Sequence, residues 1–179
     1  MHFSLLVALF AFRQHCLPQN SKNSKLYNAL ILSFLLQAMA YSFGAAEETG
    51  YFDWLPDMLQ KKRDGLVEVL NEIGCPPVFN PEGGYFVCAD GSTMMQVAGI
   101  DPDDPTVTPD SPLEDRPDVR LCKWLTEKVG VTAIPVSPFY LPEDRAEANT
   151  MMRFAFCKDE AVMTLAMQRL SDWQARCKA

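Results

Sequence analysis

Residues 55–179 are predicted to fold as an α+β domain, a short sheet covered by helices. Three features predict this. A helical apolar stripe runs through Leu59, Leu66, Val69, Leu70 and Ile73, at the spacing that puts side chains on one helix face. Two short apolar segments, 131–136 and 151–157, read as strands joined by a polar, proline-containing excursion over 137–150. From residue 55 the order is helix, strand, helix, strand, strand, helix, which layers helices on a small sheet.

The composition sets bounds on function. The chain of 179 residues can form one ordinary domain with a real core. A formal charge of −7 argues against nucleic acid, which wants a basic face. The two histidines, His2 and His15, lie near the N-terminus, which removes most Ser–His, Cys–His and His-ligated metal arrangements from the rest of the chain. The six cysteines (16, 75, 88, 122, 157 and 177) form no CxxC pair, and several fall at apolar positions. They read as reduced thiols of an intracellular protein.

Taken in order, the chain begins with an apolar run at 5–12 of signal-peptide length, but no Lys or Arg precedes it and no small-residue cleavage site follows. A polar interval over 13–25 leads to the apolar stretch 27–46. A membrane span needs about 20 apolar residues, and Asn28, Ser33, Gln37, Ser42 and Gly44 weaken that reading. The spacing of Leu32, Leu35, Leu36, Met39 and Phe43 fits a soluble helix packed on a core. After a polar break at 47–53, the long helix over 55–73 carries Pro56 near its first turn and Gly74 at its end. Lys61, Lys62, Arg63 and Asp64 read as its solvated face.

Pro81-Glu82-Gly83-Gly84 makes a turn into an aromatic-rich strand at 85–89. A glycine pair there could let backbone approach a ligand, though a plain turn suffices. Residues 90–117 are acidic and proline-rich, a loop without a core of its own. Asp101, Asp103 and Asp104 lack the EF-hand order of ligands and its closing Glu. A helix at 117–129 starts on Pro117 and stops before Gly130. Asp159 caps the last helix, whose inward stripe is Val162, Leu165, Ala166, Leu170 and Trp173, with Arg169 at its margin.

One residue stands out chemically. Arg153 sits inside the second strand of the 131–158 stretch, among Met152, Phe154 and Phe156. A cation in an apolar strand is costly to bury unless an anion pairs with it. The planar guanidinium grips a carboxylate through two parallel hydrogen bonds. The plainer reading is an Arg snorkelling to water or paired with a carboxylate of the protein.

Four blocks now carry a resemblance: LPDMLQKKRDGLVEVLNEIG, NPEGGYFVCAD, VGVTAIPVSPFY, and MRFAFCKDE with the closing Trp173. In this order, over about residues 36–175, they resemble the C-terminal third of class I pyridoxal-phosphate aminotransferases. The subgroup is the kynurenine–oxoglutarate aminotransferases, which also act as cysteine-S-conjugate β-lyases. The resemblance implies the small C-terminal domain of a fold-type-I enzyme over 75–179. Before it come the last large-domain helix and a long connecting helix, at 34–74, while residues 1–33 match nothing in the family. It also implies that Arg153 binds the α-carboxylate of an amino acid or 2-oxo acid, orienting the substrate against the cofactor. In the family the subunits pair as homodimers in the cytoplasm or mitochondria.

The departures are equally informative. The family's Schiff-base lysine lies upstream of everything matched. Ser21-Lys22 and Ser24-Lys25 have the Ser-Lys dipeptide without its flanking sequence. No catalytic, cofactor-binding or metal-ligating residue is therefore assigned in this chain. The expectation is an aminotransferase fragment that is inactive alone. The alternative is a non-catalytic small-domain protein that binds carboxylates or pairs with a full-length subunit. On either reading the helices over 35–73 should expose apolar surface, because their family partners are not in this sequence.

Overall fold

A computed structural model describes residues 22–178. The apolar run 5–12, His2, His15, Cys16 and Ser21 lie outside the described residues. The chain divides into two compact units, 1–54 and 55–179.

In the first unit, α1 (Lys22–Glu48) lengthens the helix expected over 27–46 at both ends. The polar break shrinks to Thr49 and Gly50, where Gly50 adopts φ 67° and its N–H donates to the Glu47 carbonyl. The expected burial on a core is not found. Phe34 is 72% exposed and Tyr41 81%, and Leu32, Leu36, Met39 and Phe43 are exposed as well. The stripe Leu32, Leu36, Met39 and Phe43 shares one helix face as expected, yet each of its residues is more than half exposed. Phe43 stacks on Phe52, and Tyr51 packs against Trp54, yet all four stay exposed. The expected exposure of apolar surface is thus met here. Among the described residues, no helix is long and apolar enough to cross a membrane.

The long helix, α2 (Tyr51–Glu72), begins four residues before the expected start at 55, so Pro56 lies inside it and not in its first turn. Proline cannot donate to the carbonyl four residues back, which weakens the ladder at that point. Its end follows the expectation. Gly74 turns left-handed at φ 76°, its N–H reaches the Asn71 carbonyl, and the Cys75 N–H reaches Leu70. Two residues of the expected solvated face do structural work. Lys62 Nζ donates to the Lys158 carbonyl (2.5 Å) and Arg63 to the Pro81 carbonyl (3.0 Å).

The sheet of the second unit has three antiparallel strands in the order β1-β3-β2: β1 (Phe86–Asp90), β2 (Ile134–Pro135) and β3 (Met151–Ala155). The strand expected at 131–136 shortens to two residues, because Pro135 has no N–H to extend the ladder. On its far side β1 is bordered by a bridge from Pro77 to Ala89. Alternation along β1 and β3 buries Val87, Ala89, Met152 and Phe154. These pack with Leu66, Leu70 and Ile73 of the α2 region and with Leu121 and Leu125 of α4 (Pro117–Lys128). The last helix, α5 (Glu160–Lys178), adds Met163, Leu170 and Trp173 to the same core, and Trp173 meets Trp124 edge-on.

Two expectations need correction. The loop assigned to 90–117 contains a helix, α3 (Ser92–Ala98), whose Met94 and Met95 enter the core. Asp90 accepts hydrogen bonds from the Ser92 N–H and hydroxyl at its start, and Gly99 closes it in left-handed geometry. A start and stop of this kind were present in the sequence but hidden by the prolines that follow. The inward stripe of α5 is also rotated: Val162 and Leu165 are each 51% exposed, and Met163 takes the inward place. Arg169 does lie at the margin, donating to the Gly130 carbonyl (2.6 Å).

The α+β architecture therefore stands, with every layer packed on one face of the sheet. Gly91 lies where β1 meets α3; a Cβ there would come within 2.4 Å of Leu121 Cδ2 and 3.1 Å of the Thr150 carbonyl oxygen. Both Leu121 and its neighbour Met152 are fully buried, so neither has room to yield. Gly91→Ala is expected to cost about 1–3 kcal/mol through overpacking. Gly83→Ala, whose Cβ would meet nothing within 4 Å, should stay within about 0.5 kcal/mol. Urea unfolding midpoints check the contrast.

Candidate functional site

Arg153 occupies the middle of the middle strand. Its cross-strand partners are Cys88 on β1 and Ile134 on β2. Since β-strand side chains alternate, the residues that flank the buried set form the opposite face: Phe86, Cys88 and Asp90 on β1, Met151, Arg153 and Ala155 on β3. Within the second unit the helices that join the core pack on the other face, and this one carries the cation.

The guanidinium carbon of Arg153 lies 4.2 Å from the centre of the Phe86 ring and 4.3 Å from that of Phe139. Each such cation–π contact is worth about 0.5–2 kcal/mol according to its desolvation. Arg153 is half-buried, and its Nε is buried without a hydrogen-bond partner in the protein. The ion pairs among the described residues are Arg63–Asp64 and Arg120–Asp104, neither involving Arg153. The reading in which a carboxylate of the protein neutralises this arginine is therefore not met among the described residues. Nor does the side chain simply extend into water. Two aromatic rings hold the guanidinium, whose planar fork is the kind of group suited to a planar anion.

The other candidates from the sequence are not drawn to this point. Gly84 turns at φ 73° beside a cleft of about 290 Å³ lined by Leu59, Arg63, Pro81 and Phe156, among others. A second cleft of about 290 Å³ lies under α5, lined by Val131, Phe154, Lys158 and Leu170. Arg153 lines neither of these two. The acidic loop is spent internally: Asp101 accepts from the Asp103 N–H, and Asp104 from the Thr106 N–H and hydroxyl. Sequence reasoning missed Phe86, Phe139 and the buried Asp118. Phe86 was legible as the residue two before Cys88 on the same strand face. Phe139 and Asp118 carry no periodic signal.

Similar proteins bear on this arrangement. No family model matches the chain. It is 35% identical over 126 residues to kynurenine–oxoglutarate transaminase 3 of Rattus norvegicus, a match covering 70% of this chain and 25% of that protein. Among solved structures, Bna3p of Saccharomyces cerevisiae superposes with a TM-score of 0.61 at 32% identity, over 76% of this chain and 30% of that one. The N-succinyldiaminopimelate aminotransferase of Mycobacterium tuberculosis gives 0.50 at 32% identity, over 70% of this chain and 27% of that one. The class is thus that of the α+β aminotransferases. The chain belongs with the pyridoxal-phosphate aminotransferases and corresponds to a C-terminal part of them. It spans about a quarter of the length of the curated relatives it matches.

The family's cofactor needs a lysine within reach of a substrate. Of the described lysines, Lys61, Lys123, Lys128 and Lys158 are exposed and Lys62 is bonded to a backbone carbonyl. Lys22 and Lys25 fall in the first turn of α1, the helix of the other unit. Among the described residues, none of these lysines shares the strand face of Arg153.

The thiols report on burial. Desolvation pushes the Cys75 thiol up to about 11 and Cys122 up to about 12. Cys88 is also raised by desolvation, and the neighbouring Arg153 cation partly offsets this by favouring the thiolate. Cys157 and Cys177 are exposed. Alkylation by iodoacetamide, mapped by mass spectrometry, should take Cys157 and Cys177 first, Cys88 next, and Cys75 and Cys122 only on unfolding. Because the two buried thiols ionise later in the folded chain than in the unfolded one, stability held below pH 9 should fall as the pH rises towards 11–12. Tm measured against pH, with a Cys75→Ala/Cys122→Ala variant showing a shallower decline, checks the sign.

Proposed function

We propose that this chain provides the carboxylate-binding part of an aminotransferase of the kynurenine–oxoglutarate type, with Arg153 as the residue that holds the α-carboxylate of an amino acid or 2-oxo acid. The carrying observation is the half-buried guanidinium in contact with the Phe86 and Phe139 rings, its Nε unpartnered and no carboxylate of the described residues bonded to it. A bidentate pair fixes both the position and the plane of the carboxylate, and this sets which bond at the α-carbon faces the reacting partner. Part of the attraction comes from a lowered local dielectric beside the two rings.

The relatives are kynurenine–oxoglutarate transaminases. Transfer of an amino group from an L-amino acid to a 2-oxo acid is the activity proposed for the whole enzyme of which these residues form a part. Within that enzyme the chain's own contribution is binding and orientation. The cofactor chemistry belongs to groups that the described residues do not supply. The chain by itself is accordingly expected to show little or no transamination.

Titration of the purified chain and its variants with 2-oxoglutarate by isothermal calorimetry, with NMR at the Arg153 Nε–H in the wild type, tests the assignment. Loss of a charge-assisted pair costs about 1.5–3 kcal/mol, so Arg153→Ala should weaken binding roughly ten- to hundredfold with the Tm nearly unchanged. Arg153→Lys, which keeps the charge but loses the fork, should fall between. Equal affinity in wild type and Arg153→Ala would refute the reading. Turnover of kynurenine and 2-oxoglutarate by the isolated chain would refute its assignment to binding alone.

A further inference from the structure

Asp118 has no exposure at all, and a carboxylate taken wholly out of water is expensive unless it is bonded. It lies in the first turn of α4, where the helix dipole favours negative charge. One of its oxygens, Oδ2, accepts two backbone hydrogen bonds, from the Val136 N–H (2.8 Å) and the Ser137 N–H (2.7 Å). Both donors stand just after β2, at the entry to a single turn of 3-10 helix, Ser137–Phe139. The turn is closed by the Phe139 N–H on the Val136 carbonyl and the Tyr140 N–H on the Ser137 carbonyl. Its last residue, Phe139, is the ring that covers Arg153.

Phe139 is 62% exposed, so the core does not hold it in place. What holds it is the backbone it springs from, and that backbone is pinned at its first two amides by Asp118. We infer that Asp118 is a positioning residue for the Arg153 site. By clamping the Val136 and Ser137 amides it aims Phe139 over the guanidinium, and so keeps the cation's plane turned to receive a carboxylate. The inference rests on the reading of Arg153 as a carboxylate-binding residue. It assigns specificity to a group with no hydrogen bond to Arg153, acting through an aromatic wall. Phe86 does not share this dependence, because it is fixed by the β1–β3 ladder itself, where it pairs with Ala155.

The test compares the full chain with Phe139→Ala, Phe139→Tyr, Asp118→Asn, Asp118→Glu and the Phe139→Ala/Asp118→Asn double variant. Each is titrated with 2-oxoglutarate and read at the Arg153 Nε–H by NMR, with Tm recorded alongside. Phe139→Ala should weaken binding at least threefold and shift the free-state Nε–H resonance by loss of the ring current, with little change in Tm. Phe139→Tyr should restore both. Asp118→Asn and Asp118→Glu should lower the affinity to a similar extent, and the double variant should bind no worse than the weaker single one, since both act along one path.

Asp118 variants that lower the Tm but bind as tightly as wild type would overturn the inference, as would losses that add in the double variant. Where neither Asp118 variant folds, unchanged affinity in Phe139→Ala overturns it, and weakened affinity rescued by Phe139→Tyr supports it. If Arg153→Ala abolishes binding while the Phe139 and Asp118 variants bind normally, the inference fails and the carboxylate reading survives. If 2-oxoglutarate causes no shift in the wild-type chain, both fail together.

Discussion

The constraint on which the second unit depends is the two-residue period of β3, which forces the middle strand of a three-stranded sheet to serve two environments. Met152 and Phe154 go to the core, and Met151, Arg153 and Ala155 go to the other face. A slip of one residue in the β1–β3 register would exchange these sets, putting a guanidinium into the core and two large apolar side chains into water. The cost of either error is several kcal/mol, so the register is strongly specified. The packed face thereby fixes where the cation stands.

All the helices that pack on the sheet cover the same face, and this leaves the Arg153 face open. Openness alone would give a solvated arginine of little interest. What changes its chemistry is the pair of rings from Phe86 and Phe139, one carried by the sheet and one by the turn that follows β2. Ring faces attract the cation yet offer no acceptor for its N–H groups. The buried, unpartnered Nε is the local sign of that arrangement. Buried polar groups in folded proteins are normally bonded; Arg116 Nε, Arg145 Nε, Asp118 Oδ1 and Ser137 Oγ are unpartnered as well, and what sets Arg153 apart is its two ring contacts.

The first unit has a different character. Its helix shows apolar side chains around its circumference, with Phe34 and Tyr41 among the most exposed residues. Contiguous apolar exposure of this kind marks a surface meant to be covered. The chain spans about a quarter of the length of the relatives it matches.

Much was legible in the sequence because it depends on local chemistry. The end of α2 at Gly74, the start of α4 at Pro117 and the strand character of the residues around Arg153 are written in short-range signals. The choice of Arg153 as the candidate residue needed only its place in an apolar strand. The errors arose where a local signal competed with a longer one. Prolines after residue 101 mask the short helix at Ser92–Ala98, and Pro56 signals a first turn although the helix forms upstream of it. In α5 the apolar residues are numerous enough to admit two stripes, and only packing against the sheet selected Met163 over Val162 and Leu165.

By itself, then, the sequence determined the α+β order of elements, the helix stops and the identity of the one cation set within a strand. Tertiary structure alone decided which face of the sheet stayed open, which rings flank Arg153, and that Asp118, nineteen positions before Ser137, would pin the turn carrying one of them. The reason is physical. Propensities and caps act over one or two turns of chain, whereas the neighbours of a side chain are set by how distant layers pack, and nothing in local spacing encodes that choice.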